Sequence, residues 1–242
     1  MNLVIDHGNT RVKLAFFDES NSLVDLMEIS NEANLSIETV EESYSLDDIE
    51  HVFYAASGHF NEAFINELKA ECNVLVFDAV TPLPIEVHYD SRATVGSDRL
   101  ANVVMAAVAS EGNALVVDMG TCVTYDILHE NTFIGGAISP GLLMRTKAMN
   151  QMTARLPEVD IPEEVALIGD STQKALQSGT LNGWIQEINA MTQAYEDELG
   201  PLFKVFTGGD VVHFDQGAKS PIFADPYWTL KGYHEILRFN AK

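Results

Sequence analysis

Positive charge is what this chain of 242 residues has least of: 14 Lys and Arg stand against 36 Asp and Glu, for a formal net charge of −22 at pH 7. Nucleic acids and anionic membrane surfaces are bound mainly through clustered Lys and Arg. No run of five or more basic residues occurs, so neither partner is expected. A small site can still be locally positive, or can meet a phosphorylated ligand through a metal ion.

Cysteine is also scarce. Cys72 and Cys122 lie far apart with no Cys-x-x-Cys spacing, which excludes a disulfide scaffold and a structural zinc site. No apolar run approaches the ~20 residues of a membrane span. Met1 to Asp6 shows no basic region ahead of a long apolar stretch, so no signal peptide is expected and the cytoplasm remains as the compartment. The histidines His7, His51, His59, His88, His129, His213 and His234 are scattered without metal-ligand spacing. A Gly-x-Ser-x-Gly elbow and the Gly-Lys-Ser/Thr ending of a P-loop are both missing.

What is present is apolar and patterned. Hydrophobic residues make up 46% of the chain, enough for a sizeable core. Short apolar runs at 3–5, 12–17 and 23–29, separated by turn residues, predict an opening β-meander. Strands are predicted at 52–56, 74–77, 115–117, 123–128, 132–138 and 203–206. Helices are predicted at 61–70, 98–109, from Pro140-Gly141 to about 152, 171–177, 181–199 and 233–239. This mixture predicts an α/β protein.

The sequence also echoes itself. Leu3-Val4-Ile5-Asp6-His7-Gly8-Asn9-Thr10 parallels Leu115-Val116-Val117-Asp118-Met119-Gly120-Thr121. Each is an apolar strand, an Asp, any residue, a Gly and a hydroxyl residue, and each precedes a strand ending at a second acid, Asp18 or Asp126. A duplication into lobes 1–112 and 113–242 would produce this, with a cleft between them as a natural ligand site.

An Asp-x-Gly-Asn-Thr turn can do chemistry. Gly8 lets the turn approach a ligand, and its backbone N–H groups can cradle phosphate. Asp6 repels phosphate unless a divalent cation sits between them, which suits a metal–nucleotide site. Arg11 and Lys13 fall on one face of the next strand, close to that turn. Gly96-Ser97-Asp98-Arg99 opens a helix and has two readings. Ser97 or Asp98 caps the helix, which needs no chemistry, or Asp98 accepts a proton while Arg99 binds an anion. Gly135 to Gly141 and Thr207-Gly208-Gly209-Asp210 are glycine-rich turns after strands.

Taken in order, these motifs make the chain resemble the type III pantothenate kinases, a family of the actin, sugar kinase and Hsp70-like group. Thr124 with Asp126, Thr153 to Pro157 and Ser171 to Ala175 extend the resemblance over essentially the whole chain. It implies duplicated actin/sugar-kinase-like (ribonuclease H-like) lobes with a central cleft. It also implies phosphorylation of pantothenate by ATP to 4′-phosphopantothenate, the first step towards coenzyme A, in a cytoplasmic homodimer. Residues Asp6, His7, Gly8, Asn9, Thr10, Arg11, Val12 and Lys13 would contact ATP phosphates, with Asp6 holding Mg2+. Thr121, Gly208 and Gly209 would contact ATP, and Asp118 would bind K+ or NH4+. Asp98 would accept the proton of the pantothenate hydroxyl. Tyr89, Gly96, Ser97, Asp98 and Arg99 would line the pantothenate pocket, with Arg99 facing the carboxylate. Thr172 would touch pantothenate, from the same or the partner subunit.

Two residues depart from the family pattern: His7 stands where an aliphatic residue is frequent, and Cys122 where Ala is common. Two rivals stand beside this reading. One is a non-catalytic regulatory relative of the same fold, against which Asp6, Asp98 and Asp118 argue. The other is a kinase for a different small hydroxyl substrate.

Overall fold

The computed structural model describes residues 1–8, 11–30, 35–56, 61–215 and 223–241. The chain forms two compact units, Met1–Met105 with Tyr227–Lys242, and Ala106–Pro226.

The first unit opens with the meander β1 (Asn2–His7), β2 (Arg11–Phe17) and β3 (Leu23–Ser30). Helix α1 (Ile37–Glu41), strand β4 (His51–Ala56), helix α2 (Glu62–Glu71), strand β5 (Asn73–Val76) and the two-residue β6 (Glu86–Val87) follow, then helix α3 (Ser97–Ala109). The sheet order is β3-β2-β1-β4-β5. Strands β1, β2 and β3 are antiparallel neighbours, while β4 runs parallel to β1 and β5 parallel to β4.

Strand β1 is apolar on both sides because both faces of its sheet are covered. On one face Leu3, Ile5, Val12 and Leu14 pack with Phe64, Ile65 and Leu68 of α2. On the other, Val4, Ala15, Phe53 and Ala55 pack with Ala101 and Val104 of α3. The closing helix α7 (Trp228–Asn240) adds Leu230, Tyr233, Ile236 and Leu237 to that second layer.

The second unit carries β7 (Ala114–Met119), β8 (Cys122–His129), β9 (Thr132–Pro140), α4 (Leu142–Gln151), α5 (Thr172–Leu199), β10 (Phe203–Thr207), α6 (Val211–Asp215) and β11 (Phe223–Ala224). Its strands run β11-β10-β7-β8-β9. Strands β7, β8 and β9 form an antiparallel meander, with β10 parallel to β7 and β11 parallel to β10. Relabelled from each first strand, the order and directions are those of the first unit, so the echo in the sequence is a repeated sheet topology. Leu115, Val117, Tyr125 and Ile127 pack with Leu181, Trp184 and Ile188 of α5 and Phe214 of α6.

Three expectations differ from this architecture. A division at residue 112 assigns the last helix to the second lobe, but α7 lies with the first unit, and the boundary falls inside α3. The cause is the apolar stripe of α7, which meets Val4 and Phe53 across more than 170 residues of chain. The helices expected at 171–177 and 181–199 are one helix, α5. Gly179 interrupts neither packing nor backbone, since no atom lies within 4 Å of its missing Cβ and its neighbours Ser178 and Thr180 are buried. The echo also stops short of the second acid. Asp18 sits in the turn after β2, whereas Asp126 lies within β8, fully buried and opposite Val116. The second hairpin turn is one residue shorter, as the pairs His7–Val12 and Met119–Val123 show.

Candidate active site

Asp6 ends the apolar run of β1 with its register partners Lys13 on β2 and Ala55 on β4. Lys13 in turn stands opposite Glu28 on β3. Paired residues share a face, so Asp6, Lys13 and Glu28 form a row of alternating charge. The row continues the face formed by Val4, Ala15 and Ala55, the one α3 covers. Arg11 ion-pairs with Glu28 at 2.8 Å, in an exposed setting where such a pair is weak and easily exchanged. Among the described residues Lys13 has no ion-pair partner.

His7 and Val12 point the other way. Val12 is in the core. His7 is 3% exposed, with Nδ1 2.6 Å from the Tyr54 hydroxyl. Burial pushes the Tyr54 phenol above its ordinary pKa, so the hydroxyl keeps its proton. Contact of residues 7 and 12 with a nucleotide is therefore limited to their backbone. Gly8 N–H donates to the carbonyl of Arg11 at 3.0 Å and closes the turn. Asn9 and Thr10, expected to contact phosphate, lie outside the described residues.

At the start of α3, Ser97 is the first helical residue. Its hydroxyl meets that of Tyr233 at 2.9 Å, so it does not cap the helix. Asp98 Oδ1 accepts from Arg99 N–H at 2.8 Å and satisfies one first-turn donor. Its other oxygen makes no hydrogen bond among the described residues. The Asp98 carboxylate folds back over Gly96, so a Cβ there would displace Oδ1. Arg99 is 6% exposed and its guanidinium lies 5.9 Å from the ring centroid of Tyr89. That distance allows a cation–π contact between the guanidinium and the ring. The structure thus brings together Tyr89, Gly96, Asp98 and Arg99.

In the second unit Asp118 holds the strand position of Asp6, opposite Thr124 on β8 and Thr207 on β10. Gly208 has φ +95°, and a Cβ there would overlap both Met119 O and Asp118 Oδ1. Only glycine permits that approach. Asp210 N–H donates to Met119 O at 2.9 Å and pins the loop to the end of β7. Burial pushes the Asp210 carboxyl up, opposed by His213. Gly209 faces open space. Thr121 is exposed in the β7–β8 turn, and its carbonyl accepts from Gly141 N–H at 3.1 Å. Thr172 is exposed in the first turn of α5, where Ser171 Oγ caps Lys174 N–H at 3.3 Å. Thr124 Oγ1 donates to the buried Asp126 at 3.1 Å.

Among the described residues no three His, Cys, Asp or Glu side chains converge as a metal cage. The corner where Asp118 Oδ1 and Met119 O both approach Gly208 is lined by oxygen, the donor type that hard cations take.

Sequence reasoning missed Glu28, Tyr54, Tyr233 and the Asp210–Met119 bond. Glu28 was within reach, because the hairpin register places it beside Lys13. Tyr233 carried no signal, since its partner lies more than 130 residues away.

A sequence model of the type III pantothenate kinase family matches residues 2–194. A type III pantothenate kinase of Bacteroides fragilis is 39% identical over 99% of this chain and 98% of its own length. One from Christiangramia forsetii is 35% identical over 99% of each chain. Among solved structures, a Campylobacter jejuni protein described as a Baf family transcriptional activator matches with TM-score 0.64 at 21% identity, over 99% of this chain and 98% of that one. Component A of the Acidaminococcus fermentans (R)-2-hydroxyglutaryl-CoA dehydratase gives 0.54 at 12%, over 100% and 99%. A ROK family glucokinase of Streptomyces griseus gives 0.52 at 11%, over 98% and 99%. These likenesses bear on the fold alone, and the fold is that of the actin and sugar kinase group.

Proposed function

The chain belongs to the type III pantothenate kinase family, and from that premise we propose how its residues carry the reaction, phosphoryl transfer from ATP to pantothenate in coenzyme A biosynthesis. Asp98 takes the proton of the primary hydroxyl as that oxygen bonds to the γ-phosphorus and the bond to ADP breaks, giving 4′-phosphopantothenate. Arg99, backed by Tyr89, binds the pantothenate carboxylate. The turn that starts at Gly8 and the ammonium of Lys13 receive the phosphates. Arg11 joins them when it exchanges Glu28 for phosphate. Asp6 holds Mg2+, which supplies positive charge against the phosphates when bound. Asp118 holds K+ or NH4+, Thr121 meets ATP, and Gly208 and Gly209 let the nucleoside lie against backbone. Thr172 contributes to the pantothenate pocket, from the same or the partner subunit of a homodimer. No helix among the described residues is long and apolar enough to cross a membrane, and we place the protein in the cytoplasm.

The observation that supports this reading best is the packing of α3 through Ala101 and Val104 on the sheet face that presents Asp6 and Lys13. Base, anion receptor and metal carboxylate then belong to one rigid α/β layer, as in-line transfer requires.

The test is ADP release from ATP with Mg2+ and K+, with and without pantothenate. Strong dependence on pantothenate, lost on replacing K+ by Na+, is expected. Release that ignores pantothenate would point to another acceptor. Dependence on pantothenate without sensitivity to K+ would remove the cation from Asp118.

A further inference from the structure

The matched family region ends at residue 194, yet α7, at 228–240, grips the first two turns of α3. Tyr233 Oη lies 2.9 Å from Ser97 Oγ. Gly232 rests on the backbone of Ala101, where any Cβ would collide with the carbonyl oxygen. Trp228 Nε1 donates to Asn102 O at 3.0 Å, and Thr229 Oγ1 donates to Asn102 Oδ1 at 2.8 Å. As positions on α3 rise from 97 to 102, their partners on α7 fall from 233 to 228, so the two helices run antiparallel along this contact.

The Tyr233 ring is core material, 1% exposed and 5.1 Å from Phe53 between ring centroids. Packing alone would be served by Phe. The hydroxyl adds a polar atom to an apolar layer, which costs free energy unless it is bonded, and it is aimed at the residue next to Asp98. A change in the Ser97 rotamer or a fraying of that turn would swing both Asp98 and Arg99.

We infer that Tyr233 is a positioning residue for pantothenate phosphorylation: through the Ser97 hydroxyl it fixes the first turn of α3, and with it the orientation of Asp98 and Arg99. This rests on the roles given above to those two residues. It makes the C-terminal helix part of the acceptor side of the site and assigns it no part in nucleotide binding.

The experiment compares wild type, Tyr233→Phe, Ser97→Ala and the double variant. Steady-state kinetics are run with each substrate varied, and amide hydrogen exchange is followed across α3. Tyr233→Phe should lower kcat/KM for pantothenate roughly threefold to tenfold, the effect of one hydrogen bond of ordinary net strength, and leave KM for ATP unchanged. The double variant should be no worse than Ser97→Ala alone, because one shared bond is lost in both. Exchange should quicken at 98–101 and stay constant in the last turns of α3. A raised KM for ATP, additive losses in the double variant, or unchanged exchange at 98–101 would each overturn the inference. The exchange measurement needs no turnover. A wild type that ignores pantothenate would refute the kinase assignment, while exchange would still decide whether Tyr233 orders the turn.

Discussion

Asp6 and Asp118 are the same residue of one repeated sheet. Each is the fifth residue of a six-residue first strand, β1 or β7. Each stands opposite an antiparallel neighbour, Lys13 or Thr124, and a parallel neighbour, Ala55 or Thr207. Their surroundings then diverge. Asp6 joins a charged row with Lys13 and Glu28, while Asp118 sits beside a carbonyl and a glycine with φ +95°. Equal positions with unequal neighbours are what a duplicated fold needs in order to give its two halves different duties.

The proton acceptor is tested by Asp98→Asn. The amide keeps an oxygen for Arg99 N–H and fits the space over Gly96, so stability should hold. Loss of a positioned base is expected to lower kcat by about 10²- to 10⁴-fold, with KM for ATP unchanged. Rapid-quench measurement of the chemical step would check this. A variant with full kcat would transfer the role to another group.

Arg99→Lys examines the anion receptor. Lysine keeps the charge but loses the planar fork and alters the cation–π contact with Tyr89. Charge-assisted bonds of about 1.5–3 kcal/mol are at stake, so KM for pantothenate should rise about tenfold or more. Tyr89→Ala should cost less, about 0.5–1 kcal/mol, since that ring is partly exposed and cation–π contacts there are weak. An analogue of pantothenate lacking the carboxylate should discriminate little between wild type and Arg99→Lys, and a full penalty with that analogue would argue against a carboxylate contact.

Replacing Asp118 by Asn removes the charge that would hold a monovalent cation and keeps the side-chain shape beside Gly208. Stimulation by K+ relative to Na+ should shrink towards none in titrations of activity against each salt. Undiminished stimulation would place the cation elsewhere.

Much of this was legible in the sequence, and for a physical reason. Strand-end acids followed by glycine, and Gly96-Ser97-Asp98-Arg99 at a helix start, are local patterns, and local backbone geometry positions them. The sheet repeat was visible because apolar runs such as 3–5 and 115–117 carry it. What stayed hidden was non-local. That α7 belongs with β1, that Tyr233 reaches Ser97, and that His7 turns to Tyr54 all depend on which distant surfaces meet. The face that His7 takes is itself local, since alternation along β1 puts it opposite Asp6, and its burial agrees with a packed histidine.

That same α7 sets a pH limit on stability. His234 is 2% exposed, stacked 4.0 Å from Phe17 between ring centroids, with Nε2 3.1 Å from Asn2 Nδ2. An amide donor at Nε2 fits a neutral ring. Burial, and secondarily the charge of Arg238, lower the pKa from 6.5 to about 4. The unfolded chain therefore binds a proton below about pH 6.5 that the folded chain refuses until about pH 4, so stability is full above this window and falls as pH drops through it. At 1.36 kcal/mol per unit the loss is on the order of 3 kcal/mol. Urea unfolding of wild type and His234→Gln at about pH 7.5 and about pH 4.5 isolates it, because acid titration of the carboxylates is common to both. The wild type should lose more stability than the variant on acidification. Parallel losses would show that His234 is protonated in the fold, and that the contact between α7 and β1 tolerates the charge.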